Sequence, residues 1–102
     1  MRVGYSVLRE IDEKNFTPCS SDYGLNQREF ENFILFLERK GYVERVLRVN
    51  DKFSIRVARL TEKGILLLEE NKQYMDTYPD RNGLEAWVQV EKELYSNSAK
   101  VD

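Results

Sequence analysis

Arg28, Asn32, Leu35 and Arg39 follow one another at i, i+4, i+7 and i+11, the spacing that lays side chains on one helix face. A guanidinium matches the acceptor pair of guanine, and a carboxamide matches the donor and acceptor of adenine. Such a face, set in a major groove, has the chemistry to read base edges, and Gln27 just ahead of it could reach a base or a phosphate. A second set lies further on. Residues 42–60 hold Arg45, Arg48, Lys52, Arg56 and Arg59 against Glu44 and Asp51, five cations minus two anions, a net of +3. The whole chain carries a net charge of −2, so this cluster stands out. Phosphate contacts need only positive charge within reach, which makes Arg48, Asn50, Lys52 and Arg56 the second set of candidates. Both sets have a plainer explanation, as a solvated helix face and as charges that blunt exposed strands. Glu29 and Glu31 also argue against a phosphate-rich groove, and Leu35 gains little there unless it meets a thymine methyl.

Other chemistries are excluded by missing residue types. With no histidine, His-based general base catalysis, Ser-His and Cys-His dyads and most zinc sites are ruled out. The single cysteine, Cys19, forms no internal disulfide and builds no thiolate cluster alone, which fits a reducing compartment. The acidic pairs Asp12/Glu13, Glu69/Glu70 and Glu91/Glu93 suit solvated helix faces. No glycine-rich phosphate loop or calcium-loop pattern is present. The expectation is a protein that is not an enzyme and uses no metal and no cofactor. The longest apolar runs, 33–37 and 65–68, fall far short of a membrane span, and the first residues do not resemble a signal peptide. A cytoplasmic location with no membrane partner is expected.

These candidates need a scaffold. The chain has 102 residues, 41% apolar and 33% charged, enough for one modest core. Val3, Val7, Leu8 and Ile11 mark a first helix ending near Asn15. Residues 16–24, punctuated by Pro18 and Gly24, read as a loop or a very short helix. Asn26 and Glu29 form a variant capping box ahead of Phe30, Phe33, Ile34 and Leu37, and Gly41 stops the helix, placing it at 27–40. The apolar period then changes to two. Val43, Leu47 and Val49, then Phe53, Ile55 and Val57, predict two strands that share one apolar face. Asn50-Asp51-Lys52 is the turn, and Arg48, Ser54 and Arg56 occupy the other face. Thr61 caps a helix running to about Tyr74, and residues 78–83 break it. A last helix carries Leu84, Trp87, Val88, Leu94 and Tyr95 on one stripe. That stripe either completes the core or makes Trp87, Leu94 and Tyr95 a homodimer interface. Tyr74, Tyr78 and Tyr95 are expected as rim packing, not as a base-stacking platform, and residues 96–102 as a frayed tail.

The order of elements predicts an α+β winged helix-turn-helix: a three-helix core, a two-stranded antiparallel wing and an additional C-terminal helix, in one domain over 1–95. Two junctions sharpen this. Glu38-Arg39-Lys40-Gly41-Tyr42-Val43 looks like a recognition helix running into a first wing strand. Leu60-Thr61-Glu62-Lys63-Gly64 looks like the L-T-x-K-G segment after the second wing strand in many bacterial winged-helix proteins. With the Y-x-V-L-x-E-I pattern of Tyr5 to Ile11, the chain resembles the small YjcQ-like family of Bacillus and its phages over about residues 3–95. The resemblance implies a winged-helix fold and assigns no molecular role. Two functions are expected from the residues. One is a small DNA-binding regulator of phage or prophage type, with helix 27–40 in the major groove and the 50–52 tip of the wing on the backbone of double-stranded DNA. The other is a winged-helix module that binds a protein partner and no DNA.

Overall fold

Helix α1 (Arg2–Glu13) is the centre of the fold, because it is buried on nearly every side: Gly4, Tyr5, Ser6, Val7, Leu8, Glu10 and Ile11 all lose their solvent. The computed structural model describes residues 2–90. A short 3-10 turn (Ser20–Tyr23) follows, then α2 (Gln27–Arg39), which buries Phe30, Ile34 and Leu37 against α1 and Tyr23. The capping box holds at the start of α2: Glu29 N donates to Asn26 Oδ1 at 2.8 Å and Asn26 N to Glu29 Oε1 at 3.0 Å. At the other end Gly41, at φ +83°, allows the Schellman closure in which Tyr42 N reaches Leu37 O and Gly41 N reaches Glu38 O, each at 3.0 Å.

A hairpin occupies 43–60 in two paired sections. At its base, β1 (Val43–Glu44) pairs antiparallel with β4 (Arg59–Leu60). At its tip, β2 (Leu47–Val49) pairs with β3 (Lys52–Ser54). Asn50 and Asp51, at φ 52° and 63°, make a two-residue connection of the kind that matches strand twist. The turn is therefore shorter than the sequence suggests, since Lys52 is already paired with Val49. This register also corrects the expected apolar face. Leu47 lies opposite Ser54, and Arg48 opposite Phe53, so Phe53 shares a face with Arg48 and not with Leu47 and Val49. Leu47 and Val49 are 44% and 60% exposed.

The second expected strand also ends early. Residues 55–58 form a β-turn, with Ala58 N donating to Ile55 O at 3.1 Å. Its ends, Ile55 and Ala58, plug into the core, while Arg56 and Val57 sit exposed at the corners. The base of the hairpin is thus anchored on the helices, and Phe53 of β3 packs against the core as well.

The two sequence junctions meet in space. Thr61 Oγ1 caps α3 (Glu62–Glu70) by accepting from Gly64 N at 3.2 Å, and it donates to Gly41 O. Thr61 N donates to Tyr42 O at 3.1 Å, and Lys63 Nζ to Lys40 O at 2.7 Å. A Cβ on Gly64 would stand 2.2 Å from Tyr42 O, so this approach of α3 to the corner needs glycine. Helix α3 ends at Glu70, not near Tyr74, and a 3-10 segment (Lys72–Thr77) takes over. After another 3-10 turn (Arg81–Gly83), residues 84–90 are helical and form α4.

A polar chain crosses the core. Tyr78 OH donates to Glu10 Oε2 at 2.6 Å, and Ser6 Oγ lies 2.9 Å from both Tyr78 OH and Tyr23 OH. Each hydroxyl has one proton, so Tyr23 donates to Ser6 and Ser6 to Tyr78. Burial pushes both phenols above their ordinary range.

Candidate functional site

The outward side of α2 and the hairpin enclose a groove of about 360 Å³ lined by Asn32, Leu35, Glu38, Arg39 and Arg48. Three of the candidates from sequence, Asn32, Arg39 and Arg48, therefore meet at one place. The cause is local: α2 turns its Phe30/Ile34/Leu37 stripe inward, so the residues about half a turn away face out. The Schellman corner then folds the hairpin back beside that face.

Arg48 does not present a free charge there. Its Nη2 binds Glu38 Oε1 at 2.9 Å, tying the hairpin to α2. Gln27 is likewise engaged: its Nε2 donates to Glu31 Oε2 at 2.7 Å, and its Oε1 accepts from Ser20 Oγ at 3.4 Å. Arg28 is exposed near the start of α2, and among the described residues it has no ion pair. Asn50 and Lys52 are exposed at the tip, next to the Asp51 carboxylate.

Arg56 is not part of this constellation. As a corner of the 55–58 turn, it lines a separate cavity of about 120 Å³ with Glu10, Lys14, Phe16 and Pro18. Arg59 is held at the base of the hairpin by Glu44, at 2.7 Å. The net +3 of residues 42–60 is therefore distributed along the hairpin and partly neutralised, not gathered at its tip. Arg45, exposed and at φ +66°, is a cation that the sequence reading counted without selecting. Its alternating position could have singled it out only if the bend between β1 and β2 were legible.

The third candidate surface lies only in part within the described residues. Trp87 is 6% exposed and packs inside the monomer. Its ring meets Tyr78 at 5.2 Å, Tyr74 at 5.9 Å and Tyr5 at 6.5 Å, and its Nε1 donates to Thr77 Oγ1 at 3.0 Å. This large aromatic is buried by its own chain. Tyr74 and Tyr78 belong to this packing, as expected. Leu94, Tyr95 and the tail 96–102 lie outside the described residues.

Two ion pairs fasten the periphery. Arg81 Nε and Nη2 bind Asp22 at 2.8 and 3.2 Å, and Cys19 N donates to the same carboxylate at 2.9 Å. Burial alone would raise the Asp22 pKa, but these donors hold it below its ordinary value. Arg9 pairs with Glu13 along α1 at 2.9 Å. Among the described residues, no group of three or more Cys, Asp or Glu is placed to hold a metal ion. None of their helices is long and apolar enough to cross a membrane.

The architecture is that of a small α+β chain in which a capped helix and an interrupted hairpin share one corner. A protein of Bacillus subtilis (strain 168) named "Uncharacterized protein YjcQ" is 29% identical to this chain over 89 residues, 85% of this chain and 95% of that protein. This likeness supports a YjcQ-like family. No family model and no solved structure matches the chain.

Proposed function

We propose that the chain is a small cytoplasmic winged-helix protein that binds double-stranded DNA, with α2 in the major groove and the β2–β3 turn against the phosphate backbone. The observation that carries this reading is the shared groove: Asn32 and Arg39 of α2 and Arg48 of the hairpin line the same cleft. The order of α1, 3-10 turn, α2 and hairpin supports it further. Arg28 and Asn32 carry base contacts, and Lys52, Asn50 and Arg39 carry phosphate contacts. Arg48 positions the wing through Glu38, and Gln27 steadies the start of α2. A role in transcription regulation, of phage or prophage type, goes with this reading.

The second reading is a protein-interaction module. It is favoured by Leu47 and Val49, neighbours on one exposed face of the hairpin. Capture from bacterial lysate, with and without nuclease, separates the two. The DNA reading predicts captured nucleic acid that disappears after nuclease and survives the uncharged changes Leu47→Ser with Val49→Ser. A nuclease-resistant protein partner, lost in that double variant, would replace the first reading with the second.

A further inference from the structure

On the flank of α2 away from the hairpin lies a second groove, of about 560 Å³. Its walls come from four places in the chain: the start of α1, the second half of α2, the corner with α3, and Val88 of α4. Phe33, Phe36, Tyr42 and Val88 supply the apolar surface. Phe33 and Phe36 stack with centroids 6.2 Å apart, and Phe36 is left 42% exposed. Three cations, Arg2, Lys40 and Lys63, share the lining, and among the described residues no acidic side chain is part of it. That is unexpected in a chain with 18 acidic and 16 basic residues.

The cations are held in place by the wall itself. Lys63 Nζ donates to Lys40 O at 2.7 Å and lies 5.0 Å from the Tyr42 ring centroid. Lys40 Nζ lies 5.7 Å from the Phe36 centroid. Arg2 is committed to Trp87, with Nη1 on its carbonyl at 2.8 Å and the guanidinium over its ring. Lys40 and Lys63 have no ion pair among the described residues and supply the charge at the rim. The volume lies in the range of small-molecule sites, and aromatic walls with a few fixed charges are their usual lining.

We infer that this groove binds an aromatic monocarboxylate, its ring between Phe36 and Tyr42 and its carboxylate toward Lys40 and Lys63. The inference stands apart from DNA binding, because the groove uses the opposite flank of α2 from Asn32 and Arg48.

The test is calorimetric titration of the full chain with 2-naphthoate and with the uncharged 2-naphthamide. The expected result is saturable one-to-one binding, with the carboxylate roughly three- to tenfold tighter than the amide. Lys40→Gln with Lys63→Gln, both exposed positions, should bring the acid and the amide to equal affinity, with the circular dichroism spectrum unchanged. No saturable binding, or equal affinity for acid and amide, overturns the inference. So does binding that emerges only when Leu94 and Tyr95 are replaced by serine, since the groove would then belong to the chain's own C-terminal residues.

Discussion

Tyr78 gives its proton to a carboxylate, Glu10, that is only 2% exposed. Glu10 Oε1 has no hydrogen-bond partner among the described residues, so Tyr78 is the donor that makes the burial tolerable. Tyr78→Phe is expected to destabilise the protein by about 1–3 kcal/mol, because it leaves a buried carboxyl oxygen without its donor. Adding Glu10→Leu should recover at least half of that loss in urea unfolding, and strictly additive losses would contradict the assignment. Asp22 makes the matching prediction for pH. Its folded pKa is depressed, so its contribution to stability is present above the unfolded carboxylate value, about 3.9, and is lost as pH falls through the folded value. Wild type should exceed Asp22→Asn in stability at pH 6.5, with the gap narrowing as pH falls below the unfolded carboxylate value. Neither site was legible in the sequence. In α1 the spacing of Val3, Val7, Leu8 and Ile11 marks one buried stripe, yet Ser6 and Glu10 are buried too. Only partners distant in sequence, Tyr23 and Tyr78, make those polar positions acceptable inside.

The corner of Lys40, Gly41 and Tyr42 with Thr61, Lys63 and Gly64 organises the elements. The two sequence patterns that most strongly suggested the fold are the two halves of this contact, so their chemistry is structural. Gly64→Ala would gain up to about 1 kcal/mol in helix propensity, but its methyl meets Tyr42 O. A net loss of about 1–3 kcal/mol is expected in thermal or urea unfolding. In the hairpin, Asp51 holds a positive φ that glycine adopts without strain. Asp51→Gly is expected to stabilise the protein by about 0.5–1 kcal/mol. Helix α2 was readable to within a residue, because cap, stripe and stop signal agreed. The hairpin's existence was readable, but its faces were not. Alternation runs through the sequence from Val43 to Val57, whereas the two-residue turn and the 55–58 β-turn reset which positions share a side.

At the scale of the molecule, charge is the property that separates the functional readings. The groove between α2 and the hairpin collects Asn32, Arg39 and Arg48, but Glu38 neutralises Arg48 and Arg56 faces a different cavity. Sequence charge counts identified the cationic segment and had no means of pairing its members with Glu38 and Glu44. The DNA reading therefore depends on a short list of cations, Arg28, Arg39 and Lys52, and the most direct test is the salt dependence of their contribution. Fluorescence anisotropy of a labelled random-sequence duplex, from 20 to 200 mM salt, gives the slope of log K against log salt. Wild type should show salt-sensitive binding. Arg39→Ala with Lys52→Ala should flatten the slope by about two, roughly one unit for each lost phosphate-directed charge, and Arg56→Ala should leave it unchanged. Failure to retain any duplex at the lowest salt, or a slope that Arg56→Ala alters as much as the Arg39 and Lys52 changes do, would contradict a DNA interface built from α2 and the hairpin tip.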